Sequence, residues 1–271
     1  MKKKIINFFL LNRFSNKLLK KLIYSQINIY LIVKKIFQKL DFLIHDNEAI
    51  GLSLLKIKKK EIIIDVGAGQ GAFYKTLKNI NIKNKVIAIE PLIENKCYLE
   101  KLKEKNSNFK YYINHIGKNN LTFYTPTYQN KRIDNFTSYS KKKIINNLRF
   151  NKFNLNYKKI YFIKKKSQAI NINKFKNLKI SLIKIDTEGY ENQTINKCKY
   201  IIKKNYPILY VEYNKKNMNA ESTEIYKKFL KKINYSGFFY NYQNKKFEKK
   251  NSLNQNNIYF FQRSRIKKIP L

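Results

Sequence analysis

The chain opens with apolar residues at helical spacing. Leu19, Leu22, Ile23, Ile27 and Tyr30, then Val33, Phe37 and Leu40, follow the period of one helix face. Lys17, Lys20, Lys21, Lys34, Lys35 and Lys39 fill the gaps, and residues 1–40 hold no acid. The pattern predicts one or two basic amphipathic helices. From Glu61 the period changes. Ile62-Ile63-Ile64-Asp65-Val66 is a short apolar run that ends in a glycine-rich turn, the mark of a buried strand. Similar runs recur at 85–90, closed by Pro91, at 109–115, at 180–186, and at 208–213 after Pro207. Helical patterns lie between them: Ala72 to Asn79, a stretch ending near Lys105, one from Gly189 to near Lys203, and 221–233. Leu121 to Tyr124, Lys159 to Ile163 and Ser167 to Ile172 read as shorter strands. Phe238 to Tyr242 and Ile258 to Gln262 read as a terminal antiparallel pair, with a loose tail from Arg263.

Strands that alternate with helices predict an α/β fold of Rossmann-like type. The expected form is a mostly parallel sheet with helices on both faces, a C-terminal antiparallel strand pair and N-terminal helices ahead of it. Residues 1–44 are expected to form a basic helical segment and 45–271 the domain. A hydrophobic content of 43% over 271 residues is enough for a sizeable core and excludes a wholly disordered chain. Two cysteines, Cys97 and Cys198, cannot build a disulfide framework or a zinc cluster and suit a reducing compartment. The run Ile5 to Leu11 starts like a signal peptide, but Asn12 and Arg13 break it and no cleavage site follows. No stretch reaches about 18 apolar residues, so no transmembrane helix is expected. The expected location is cytoplasmic, with residues 1–40 in weak contact with the inner membrane face.

Charge changes the picture less than its size suggests. Lys and Arg number 58 against 17 Asp and Glu, for a net charge of +41. Lys, Asn, Ile, Tyr and Phe are abundant while Ala, Gly, Pro and Arg are scarce, which is the signature of AT-rich codons. Arginine, the preferred residue for bidentate phosphate contacts, is nearly absent. A solvated lysine surface with weak, salt-sensitive attraction to polyanions accounts for this composition. No specific nucleic-acid partner is expected.

The candidate chemistry sits at the strand ends, because open α/β sheets bind ligands outside the carboxyl ends of their strands. Three of the seven glycines fall in Gly67-Ala68-Gly69-Gln70-Gly71. Such a turn lets backbone approach a ligand closely and feeds a helix N-terminus. Glu90 closes the next strand, where a carboxylate can accept hydrogen bonds from ribose hydroxyls. Together they point to an adenosine-containing cofactor, either NAD or S-adenosylmethionine. Asp65 favours the second, since a carboxylate suits an amino group or sulfonium and repels a pyrophosphate. Asp186 is the first candidate base, and Asp186 with Glu212 offers an alternative Mg²⁺ site. His115 is a second-rank base, and His45 reads as a capping or lid residue. Glu188 and Glu191 also suit the first turn of a helix, where acids complement the dipole. Cys97 and Cys198 read as packing residues. Tyr111, Tyr112, Tyr190 and Tyr213 are candidates for stacking on a sugar or adenine.

Taken in order, Asp65-Val66-Gly67-Ala68-Gly69-Gln70-Gly71, Ile89-Glu90-Pro91 and Leu182-Ile183-Lys184-Ile185-Asp186-Thr187-Glu188-Gly189-Tyr190-Glu191 resemble the FkbM family of methyltransferases. The resemblance runs from about His45 to Tyr213 and includes Pro207 ahead of its strand. It implies a class I fold that uses S-adenosylmethionine and methylates hydroxyls of saccharides or secondary metabolites. It also implies cofactor-binding roles for Asp65, Gly67, Gly69 and Glu90, and a place at the methyl-transfer site for Asp186 and Glu188; Ala68, Gly71 and Pro91 are expected to join the cofactor site, and no metal ligand is assigned. Where the family often carries Asn-Ile in the glycine turn, this chain has Gly69-Gln70. Pro126 to Lys179 matches no family element and is where acceptor recognition is expected. Competing readings are an RNA methyltransferase, an NAD-binding oxidoreductase and a non-catalytic membrane-associated scaffold. The sequence Asp186-Thr187-Glu188-Gly189 does not carry the Asn/Asp-Pro-Pro-aromatic element of RNA base methyltransferases.

Overall fold

The structure, a computed structural model, describes residues 48–117, 120–150, 155–213, 227–252, 255–266 and 270. The N-terminal helices expected over 1–40, the boundary near residue 44 and His45 lie outside these. No helix among the described residues is long and apolar enough to cross a membrane.

The chain divides into two units, with 124–163 in the smaller and 42–123 with 164–271 in the larger. The larger unit is built on strands β1 (Ile62–Val66), β2 (Val86–Glu90), β3 (Phe109–Ile113), β7 (Ile180–Ile185), β8 (Ile208–Glu212), β9 (Tyr235–Asn241), β10 (Lys246–Glu248) and β11 (Asn257–Gln262). They form one eight-stranded sheet in the order β10-β9-β11-β8-β7-β1-β2-β3. β3, β2, β1, β7 and β8 are mutually parallel, and β11 is antiparallel to both β8 and β9. This is the expected Rossmann-like sheet. β9 begins earlier than the sequence suggests, and β10 extends the antiparallel end.

Strand alternation divides the core between the two faces. Ile62, Ile64 and Val66 of β1 join Ile183 and Ile185 of β7 in one cluster. Helix α4 (Glu191–Asn205) covers that face through Ile195, Cys198, Ile201 and Ile202. Ile63 of β1, Val86 and Ala88 of β2, Leu182 of β7 and Tyr210 of β8 belong to the opposite cluster. There Phe73, Tyr74 and Leu77 of helix α1 (Ala72–Asn79) and Leu99 of α2 (Lys96–Lys105) pack on the sheet. The same parity turns Asp65, Glu90, Lys184, Asp186 and Glu212 toward the α1 face, at the carboxyl ends of the parallel strands. Sequence order reverses between β1 and β7, so this is the switch point of the sheet.

The smaller unit contains helix α3 (Lys141–Phe150) and its own cluster of Ile133, Phe136, Ile144, Leu148, Leu155 and Ile160. A separate three-stranded sheet has the order β5-β4-β6, with β4 at Leu121–Tyr128, β5 at Lys131–Arg132 and β6 at Tyr161–Ser167. Several expectations change here. The strand begun at Leu121 runs on through Pro126, because proline lacks a donor but its carbonyl still accepts from Ile133 N–H at 2.9 Å. The stretch Ser167 to Ile172 is not a strand. It makes one bridge, Ala169 to His115, before a 3₁₀ turn at Ile172–Phe175. The pattern predicts no helix at α3, where apolar residues are diluted by Lys and Asn. Within the tail expected to be loose, Arg263–Ile266 form a helical turn, and Phe247 N–H donates to the Pro270 carbonyl at 2.9 Å.

One close approach fixes the site. Gly67 has φ 77°, and a Cβ there would stand 1.7 Å from the Asp186 carbonyl oxygen. The turn after β1 therefore lies directly against the chain leaving β7. Gly67→Ala should destabilise by about 3 kcal/mol or more, combining left-handed strain with a backbone clash. Thermal unfolding measures this, and a change near zero would contradict the packing described.

Candidate active site

β1 and β7 pair with Asp65 directly opposite Lys184. Asp65 is fully buried, and neither carboxylate oxygen accepts a hydrogen bond among the described residues. Its partner is the Lys184 ammonium, 3.4 Å from Oδ1. That ammonium also lies 3.3 Å from Asp186 Oδ2 and 3.4 Å from the Gly67 carbonyl oxygen. Burial raises the Asp65 pKa, Lys184 opposes the rise, and the Asp186 charge adds to it. Asp186 follows the end of β7 at the rim, with its side chain 38% exposed.

Glu90 ends β2 and is also buried. Its Oε1 accepts from Leu92 N–H and Asn95 Nδ2, both at 3.0 Å, and its Oε2 accepts from Gly69 N–H at 2.7 Å. Burial raises its pKa against these hydrogen bonds. Glu90 thus holds the glycine turn, and Oε2, with one donor, keeps a further acceptor lone pair. Gly67, Gly69 and Gly71 all have positive φ, the conformation that glycine supplies without strain. A Cβ at Gly69 would meet no heavy atom within 4 Å, so the turn borders open space. Ala68 is buried, its N–H donating to Ile89 at 3.3 Å, and Pro91 begins the bend after β2.

The turn after β7 is held from below. Glu191 is 2% exposed, and its Oε1 accepts from Thr187 N–H, Thr187 Oγ1 and Gly189 N–H at 3.0, 3.0 and 2.8 Å. Glu191 is therefore a turn clamp as well as a first-turn acid. It supports Glu188 at φ 52° and Gly189 at φ 101°, two left-handed residues in succession. The turn brings Glu188 to the rim, where Asp186, Glu188 and Glu212 carboxylate oxygens lie within 4.8 Å of one another. Oxygen donors of this kind suit Mg²⁺, but partly exposed acids gather in this way without an ion.

His115 is buried, its Nδ1 3.1 Å from Ser167 Oγ and its ring edge-on to Phe123, which makes it part of the packing. Tyr111 donates to Glu100, and its phenol is pushed up to about 12 by burial and that carboxylate. Tyr190 is buried against Gly117. Tyr112 has the Lys174 ammonium over its ring at 3.4 Å, and Tyr213 packs edge-on to Phe239. Cys198 is buried in α4, and Cys97 is exposed. Two residues were missed as functional groups. Lys184 is the one charge inside the apolar strand Ile180–Ile185, two positions before Asp186 and so on its face. That parity was the available signal. For Glu191 the signal was only its spacing after Thr187.

The parallel order β3-β2-β1-β7-β8, the switch-point glycine turn and the acid ending β2 define a Rossmann-like α/β fold of the class I methyltransferase type. Residues 65–239 match the model of the methyltransferase FkbM domain, a span of more than half the chain. The chain belongs to the FkbM methyltransferase domain family. Similar solved structures include the FkbM methyltransferase of Methylobacillus flagellatus KT, at 13% identity and TM-score 0.48, covering 80% of this chain and 48% of that one. The precorrin-6y C5,15-methyltransferase of Geobacter metallireducens GS-15 has 10% identity and TM-score 0.39, with 79% and 84% covered. An rRNA methylase of Streptococcus thermophilus has 8% identity and TM-score 0.40, with 79% and 90% covered. The chain spans about half the length of the Methylobacillus protein. No curated protein matches it.

Two outcomes follow from this geometry. Glu191→Ala should lower stability by about 2–4 kcal/mol, because two backbone donors lose their acceptor, and Glu191→Gln should recover part of the loss. Equal losses in thermal unfolding would contradict the clamp. Asp65 has its folded pKa raised above 3.8, so its contribution favours folding at acid pH and is lost as pH rises through the folded value. Ligand-free Asp65→Asn should therefore melt a few degrees above the parent at neutral pH, with the gap closing as pH falls. A lower melting point at neutral pH would contradict that sign.

Proposed function

We propose that this protein transfers the methyl group of S-adenosylmethionine to a hydroxyl oxygen of a saccharide or secondary metabolite. The observation that carries this reading is the charge at the switch point. Asp65 and Asp186 flank the Lys184 ammonium and Glu90 lies within electrostatic reach of Asp65, so three carboxylates face one ammonium among these residues, within a chain of net charge +41. A site of this sign favours a ligand with an amino group and a sulfonium, and disfavours the pyrophosphate of a dinucleotide.

The residues fit such a cofactor. The buried carboxylate of Asp65 has unused acceptor capacity for an ammonium, the remaining capacity of Glu90 Oε2 suits a ribose hydroxyl, and the space beside Gly69 admits close backbone approach. When bound, S-adenosylmethionine supplies an electrophilic methyl group on sulfur. Asp186 stands at the rim, where it can accept the proton of an acceptor hydroxyl. Lys184 holds its Oδ2, which leaves Oδ1 for that task. Glu188 and Glu212 add acceptors that can orient neighbouring hydroxyls of a polyol. Alignment of the reacting groups supplies much of the rate, and a positioned base adds about 10²–10⁴-fold.

The test is transfer of labelled methyl from S-adenosylmethionine to a panel of sugars and hydroxylated small molecules. Asp186→Asn should lower turnover by about 10²–10⁴-fold while cofactor affinity stays within about threefold. Normal turnover in this variant would remove Asp186 as the base. Absence of transfer to every acceptor by the parent, despite cofactor binding, would count against hydroxyl methylation.

A further inference from the structure

A lysine inside a central parallel strand is costly, since desolvating its ammonium takes several kcal/mol. At position 184 an apolar side chain would pack beside Leu182 and against Phe73, whose ring lies 5.7 Å from the ammonium. The lysine instead touches all three parts of the proposed chemistry: the Asp65 carboxylate, the Asp186 carboxylate and the Gly67 carbonyl in the glycine turn. The charged groups facing Asp65 are Lys184 from β7, Asp186 from the chain after β7 and Glu90 from the end of β2. Burial and the Asp186 carboxylate push Asp65 toward its neutral form, and Lys184 opposes them.

We propose that Lys184 is a positioning residue. Its ammonium keeps the buried Asp65 ionised, ready for a cationic ligand group, and anchors one oxygen of Asp186 so that the other faces the acceptor. The inference rests on reading the site as one for S-adenosylmethionine. Without Lys184, Asp65 is buried without a counter-charge and takes up a proton, and a neutral carboxyl gives a cation little hold. Raising the pH restores the carboxylate and with it the affinity. A lysine that served packing alone would produce no such recovery.

The test compares the full chain with Lys184→Met and Lys184→Arg. Carboxyl NMR with isotope-labelled aspartate follows Asp65 ionisation in ligand-free protein, and calorimetry follows S-adenosylhomocysteine binding across pH. Lys184→Met should shift the Asp65 titration upward by about one unit or more, and Lys184→Arg should leave it close to the parent. S-adenosylhomocysteine affinity of Lys184→Met should fall at least about tenfold near neutral pH and recover as pH rises. An unshifted Asp65 titration, or an affinity loss that is the same at every pH, would overturn the proposal. Should Lys184→Met fail to fold, the double variant Asp65→Asn/Lys184→Met should fold again, because the uncompensated carboxylate is gone. Continued failure would assign Lys184 to packing and overturn the proposal too. If the parent bound no S-adenosylhomocysteine at any pH, the cofactor reading would fall, while the NMR measurement would still decide what Lys184 does to Asp65.

Discussion

The site depends on a buried ion pair across two neighbouring parallel strands. The register of β1 against β7 sets Asp65 opposite Lys184, and the α1 face of the sheet removes both from water. Removing one partner of such a pair typically costs about 3–5 kcal/mol, since a lone buried charge remains. Here the two partners are not equivalent. Lys184 has a second carboxylate in Asp186, whereas burial outweighs Lys184 at Asp65. Burial thus makes the ionised form of Asp65 less favourable than it would be in water, the condition expected of a group kept for a ligand. The Gly67 contact with Asp186 depends on the same register, so a slip of β7 along β1 would break the pair and open the turn together.

The molecule carries two electrostatic characters. The chain as a whole is strongly basic, with 58 Lys and Arg against 17 Asp and Glu. The strand ends at the switch point collect carboxylates instead. A uniformly basic protein would attract phosphates everywhere, and nucleotide-phosphate recognition would then need only a glycine turn. The acids at this turn give the local field the opposite sign, and the local field governs a buried ligand because salt and distance screen the remote lysines.

Much of this was legible in the chain. The run Ile62–Val66, the three closely spaced glycines and the acid closing β2 predicted strand, turn and ligand side together, because buried parallel strands are apolar throughout and stop where polarity begins. Their positions at the ends of the apolar runs also placed Asp65, Glu90, Asp186 and Glu212 on the ligand side of the sheet. The smaller unit was less readable. In α3 only Ile144 and Leu148 mark the buried side among Lys and Asn, and β4 runs through a proline that sequence reasoning takes as a stop. The clamp by Glu191 and the left-handed Glu188 depend on hydrogen bonds within one turn, which no periodicity records. Lys184 was visible as a charge in an apolar strand, but its partners belong to another strand and to the following turn.

The central claim is that the switch point binds a cationic adenosyl cofactor. Calorimetric titration of the parent protein with S-adenosylhomocysteine, beside NAD⁺ under the same conditions, tests it most directly. The account predicts saturable one-to-one binding of S-adenosylhomocysteine and none of NAD⁺. Binding of NAD⁺ in preference, or of neither ligand, would contradict it.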